Sequence, residues 1–122
     1  MTRGRPLAPD PWVDAAAAVR HAVLITEGVA GVSESAAFQT RGPGGSVAGV
    51  AVTASPGGAR LSVGVVVGLD LRADPLADVA RSVRTAAQAA WARARVVGPE
   101  GAPLAVDVDV HVVDAAGGGR GV

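Results

Sequence analysis

The stretch RLSVGVVVGLDL, residues 60–71, decides how the rest of the chain reads. Leu61, Val63, Val65, Val67, Leu69 and Leu71 recur at every second position, the period of a β-strand. Ser62, Gly64, Val66, Gly68 and Asp70 fall between them. One face is large and apolar and the other is small, so the pattern predicts a central strand with helices covering the apolar side.

Upstream, ASPGGAR (54–60) is a turn punctuated by Pro56, Gly57 and Gly58, and VAGVAVT (47–53) reads as the strand entering it. RGPGGS (41–46) reads as a loop, preceded by a first strand within GVAGVSESAAFQT (28–40) that ends near Thr40. Downstream, ADPLADVARSVRTAAQAAWARARVV (73–97) carries helical periodicity, with Asp74 as cap and Pro75 in the first turn. Leu76, Val79, Ala80, Val83, Ala87, Ala90 and Ala94 form its expected buried stripe, with Trp91 at the edge. Asp78 in the first turn and Arg93 and Arg95 in the last suit the helix dipole. After a break at GPEGAP (98–103), a final strand is predicted over 104–113.

The N-terminal helix starts at DPW, with Asp10 as cap, and stops near Glu27 before Gly28. Trp12, Ala15, Ala16, Val19, Val23 and Thr26 make one stripe. Val13, Ala17 and Leu24 lie on a second face beside Arg20, and are either wedged against loops or a self-association surface. The order is therefore α-β-β-β-α-β. It predicts a two-layer α+β domain over residues 10–114: a mostly antiparallel four-stranded sheet with two helices on one face. Residues 1–9 are expected to be a disordered segment and 115–122 a flexible Gly-rich tail.

Bulk composition narrows the function classes. The 122 residues suit one domain, and the absence of cysteine removes disulfides, thiol nucleophiles and thiolate metal sites. Eleven basic residues, all arginine, balance eleven acidic ones, so no net charge draws the chain to nucleic acid or anionic lipid. Trp12, Phe38 and Trp91 are the only aromatic residues, too few for a base-stacking platform. No apolar run has the length of a membrane span, and no apolar segment follows the N-terminal arginines, so neither a span nor a secretory signal is expected.

AVDVDVHVVD (105–114) holds the most suggestive chemistry. Asp107, Asp109 and His111 share one face of the predicted strand, spaced about 6.6–6.8 Å apart. Neighbours could share a divalent cation if they leaned together, but a straight strand stretches the set of three. Opposite them Leu104, Val106, Val108, Val110 and Val112 form an apolar face, so a solvated polar face is the ordinary interpretation and a subunit interface the next. The G-x-x-G of Gly42–Gly45 sits between predicted strands, where a hairpin loop, rather than a phosphate clamp, belongs. No serine lies in a nucleophile-elbow setting. Arg81, Arg84 and Gln88 share the outer side of the second helix as a solvated face, with Asp78 near Arg81.

AVLITEGVAGV (22–32), VAGVAVTASPGGARLSVGVVVGLDL (47–71), PLADVARSVRTAAQAAW (75–91) and LAVDVDVHVVD (104–114) occur in an order that resembles the alkaline-shock and general-stress family of bacterial envelope stress response proteins. Glu27, Gly28, Val29, Gly31 and Val32 carry the first motif; Val106, Val108, Val110 and Val112 carry the last. The resemblance implies a non-enzymatic cytoplasmic protein of a family in which some members self-assemble and lie along the membrane through a small anchor protein. It brings no catalytic residue, metal or cofactor, and it makes Gly28 and Gly31 structural.

The expected function is thus a self-associating scaffold or protein-interaction domain in envelope or alkaline stress. Its candidate interface residues are Val13, Ala17, Arg20, Leu24, Asp107, Asp109 and His111. Homo-oligomers, protein partners and a membrane-anchor protein are the expected company, with no nucleic acid and no cofactor. The alternatives are a small nucleic-acid-binding α+β module and, ranked below it, a metal-dependent enzyme using Asp107, Asp109 and His111.

Overall fold

The computed structural model describes residues 10–42, 45–56, 58–68, 76–98 and 101–116. The protein is an α+β domain. Its elements are α1 (Asp10–Leu24), β1 (Val29–Val32), a 3₁₀ turn (Ala36–Phe38), β2 (Gln39–Gly42), β3 (Gly45–Ala48), β4 (Val50–Ser55), β5 (Gly58–Gly68), α2 (Leu76–Ala94) and β6 (Ala105–Ala116).

The strand that opened the sequence argument organises the sheet. One edge of β5 pairs in parallel with β6 along its whole length. The other edge is shared end to end, antiparallel, by β4 over Gly58–Val63 and by β1 over Val65–Val67. The four-stranded sheet is therefore mixed, and the short hairpin β2–β3 forms a second, two-stranded sheet. As expected, Leu61, Val63, Val65 and Val67 are fully buried. They share one core with Ala15, Ala16, Val19 and Val23 of α1 and with Val79, Val83, Ala87, Ala90 and Trp91 of α2.

Three predicted strands before α2 turn out to be five, and both extra breaks have local causes. Residues 28–40 do not form one strand, because Ser33 and Ser35 divert the chain. The Ser33 hydroxyl accepts from Ser35 N–H and the Ser35 hydroxyl from Ala37 N–H, which closes the 3₁₀ turn. Residues 47–53 are divided at Gly49, whose φ of +95° belongs to the left-handed region. There a β-carbon would strike Val32 at 2.5 Å. β2 and β3 pair antiparallel with Gly42 opposite Gly45, as expected for a hairpin, and residues 43 and 44 between them lie outside the described residues.

Thr40 ties the hairpin to the main sheet. Its buried hydroxyl donates to the Val50 carbonyl at 2.7 Å and accepts from Val52 N–H at 3.1 Å. One side chain thus satisfies two backbone groups of β4.

The helices differ from expectation in detail. α1 ends at Leu24, earlier than Glu27, and Thr26 donates its hydroxyl proton to the Ala22 carbonyl just beyond. Gly28 then turns the chain at φ +92°, with Val79 of α2 packed where a β-carbon would stand. Gly31 has open space around it and makes no comparable turn. In α2, Leu76 and Ala94 are exposed, whereas Trp91 is buried. Trp12 and Trp91 meet edge to face at 6.2 Å. Trp91 Nε1–H also donates to the Leu104 carbonyl, fixing the chain as it enters β6. β6 runs on to Ala116, two residues into the segment expected to be a flexible tail. The caps expected from Asp74 and Pro75, residues 1–9 and the rest of the tail lie outside the described residues.

Candidate functional site

The sheet face away from the helices carries the residues singled out in β6. Asp107 lies beside Arg60, Asp109 beside Ser62 and His111 beside Gly64 in the parallel register. Asp109 is held by Arg60, whose guanidinium Nη1 reaches its Oδ2 at 2.9 Å, both side chains being about half exposed. His111 packs against Phe38 with the rings tilted, their centres 5.3 Å apart at 53°. Two of the three presumed ligands are thus engaged by other parts of the chain. No group of three or more His, Cys, Asp or Glu side chains converges among the described residues.

Phe38 explains why the far side of β5 is small. A β-carbon on Gly64 would lie 2.8 Å from the Phe38 ring and 3.0 Å from Ser33 Cβ. The 3₁₀ turn folds back over the sheet and seats Phe38 on Gly64, and backbone bonds hold it there. Ser33 N–H donates to the Gly64 carbonyl and Gly49 N–H to the Phe38 carbonyl. The alternation of residues 60–71 announced a need for small side chains, but nothing in it named Phe38 as the residue that fills the gap.

Two further features of β6 matter. First, among the described residues it pairs only with β5, so its other side is a sheet edge of twelve residues. Second, the register slips between Val65 and Val66, leaving Val113 as an extra residue. The regular edge therefore ends at Val112; Val112 and Val113 are 39% and 43% exposed there. Asp114, beyond the bulge, falls opposite Val66. Arg84 of α2 is exposed, as expected of a solvated face, and also reaches β6, donating from Nε to the Val108 carbonyl at 3.3 Å. Arg81 keeps to its own helix, paired with Asp78 at 2.9 Å.

The second face of α1 is only partly open. Val13 packs against the core, Arg20 and Leu24 are half-buried, and Ala17 is exposed. Ala17 and Arg20 border a shallow hollow whose other wall is Ser46, Val47 and Ala48 of β3. The hairpin thus occupies part of the surface that the sequence left free for association.

No helix among the described residues is long and apolar enough to cross a membrane. Compared with protein-family models, with curated proteins and with solved structures, the chain has no match.

Proposed function

We propose that this chain is a non-catalytic protein-interaction domain that acts by self-association and by contact with other proteins, as its sequence resemblance to the alkaline-shock family implies. The observation that carries this reading is the outer edge of β6. A twelve-residue strand that has one neighbour among the described residues carries two exposed valines, Val112 and Val113, and unpaired strand edges recruit further strands. The polar residues on the adjoining face support it too, since Arg60 with Asp109 and Phe38 with His111 make a shaped, pre-ordered surface. A stress role, a cytoplasmic place near the membrane and an anchor protein rest on the resemblance alone.

The test is the oligomeric state over a wide concentration range, by size-exclusion chromatography with light scattering, alongside a pull-down from cells. The expected result is a concentration-dependent oligomer and a defined set of co-purifying proteins. A strict monomer at high concentration, with nothing retained in the pull-down, overturns it.

A further inference from the structure

We infer that two copies of this chain join edge to edge through β6, antiparallel about a two-fold axis at Val110, so that Asp109 of each copy faces His111 of the other. This rests on the self-association reading above and gives it a geometry.

The occupant is argued from the strand's own charges. A two-fold dimer uses one patch twice, so residues i and j pair reciprocally and i + j is constant. Apolar and polar faces of β6 alternate, so only registers with an even sum keep valines beside valines. The bulge at Val113 confines regular pairing to the stretch ending at Val112. Centred on Val108, the register sets Asp107 against Asp109 twice. Centred on Asp109, it pairs Asp107 with the partner's His111 twice but sets the Asp109 carboxylate against itself. Like charges directly opposite are destabilising. Centred on His111, it puts the imidazole on itself and runs into the bulge. Centred on Val110, it pairs Asp109 with the partner's His111 twice and Val108 with the partner's Val112 twice.

The structure prepares this register. Arg60 and Phe38 hold Asp109 and His111 in place on the outer face before any partner arrives. The exposed Val112 gains an apolar neighbour in Val108. Arg84 uses one of the two lone pairs of the Val108 carbonyl, and the second remains for a backbone N–H.

The chain has no cysteine, so single cysteines report cleanly. Directly opposed residues of an antiparallel pair lie about 4.5–5.5 Å apart at Cα, within disulfide reach. Val110→Cys, treated with diamide, which takes up the two electrons and two protons of the two thiols, is expected to run as a covalent dimer on a non-reducing gel. Val106→Cys is expected to give at least about tenfold less. Val112→Lys, at a position already exposed, is expected to weaken association at least about tenfold while leaving the melting temperature of the monomer in place. A wild-type chain that dimerises, whose Ala17→Cys variant on α1 links while Val110→Cys does not, overturns this geometry and leaves self-association standing. A wild-type chain that stays monomeric overturns both.

Discussion

Phe38 sits where the side chain of residue 64 would be: a β-carbon on Gly64 would come within 2.8 Å of its ring. Glycine is here for space, since its backbone lies in an ordinary strand paired on both sides. Gly64→Ala is therefore expected to destabilise the fold by about 1–3 kcal/mol, the usual cost of overpacking. In a Phe38→Ala background the same change should cost at least about 1 kcal/mol less, the signature of direct coupling. Chemical denaturation of the four proteins in the cycle measures it. Additive effects would mean that the ring does not rest on Gly64 in solution.

Thr40 predicts a different kind of loss. Thr40→Val keeps the shape but removes the hydroxyl that serves Val50 C=O and Val52 N–H. Both backbone groups would then lack their side-chain partner at a buried site, a cost of about 1–3 kcal/mol. Thr40→Ser keeps both bonds and should recover most of that loss. Amide exchange at Val52 provides the local readout, faster in the valine variant and near wild type in the serine one.

How legible this was in the sequence depended on whether the signal was local. Residues 60–68 identified the central strand and its buried face, with Leu69, Asp70 and Leu71 of the expected strand outside the described residues, because strict alternation is a property of neighbours in the chain. The burial of Trp91 was missed because α1 covers it, through Trp12 far away in sequence. The seam between β1 and β4 was missed because it requires both to share one edge of β5. In β6 the alternation put Asp107, Asp109 and His111 together on one face, but their neighbours Arg60 and Phe38 come from distant segments. Gly49 carried the clearest overlooked hint, an interior glycine in a predicted strand, which marks a bend or a close approach.

The Arg60–Asp109 pair gives a contrasting expectation. Both partners are about half exposed, so the pair should contribute less than about 1 kcal/mol and fade with added salt. Arg60→Gln should leave the melting temperature of the monomer within about 2 °C of wild type, in line with a change of under 0.5 kcal/mol. A larger loss would place Arg60 among the residues that hold the monomer together, in addition to ordering the outer face.

Trp91 should be the most sensitive position on α2. It is buried, meets Trp12 edge to face and donates its indole proton to the Leu104 carbonyl at 3.1 Å. Trp91→Phe retains an aromatic ring but leaves that carbonyl without its donor, at about 1–3 kcal/mol. Trp91→Ala adds a cavity and should cost about 3–5 kcal/mol. Since β6 starts beside Leu104, the loss should also loosen its first residues, seen as faster amide exchange from Ala105 onward. Equal exchange in the two variants and the wild type would separate Trp91 from the docking of β6.

Arg95 predicts a gain. It follows the last residue of α2 with φ at +56°, in the left-handed region where a side chain crowds its own backbone. Glycine favours this position after a helix because it lacks the β-carbon. Arg95 is exposed, so its removal uncovers no core. Arg95→Gly should therefore raise stability by about 0.5–1 kcal/mol, after the larger unfolded-state freedom of glycine is subtracted. Gly28 supplies the opposite control: at φ +92°, with Val79 Cγ2 2.8 Å from a built β-carbon, Gly28→Ala should destabilise by more than Arg95→Gly stabilises. Thermal melts of the two variants, followed by tryptophan fluorescence, should move in opposite directions. A lower melting temperature for Arg95→Gly would show that the arginine side chain contributes more than its backbone conformation costs.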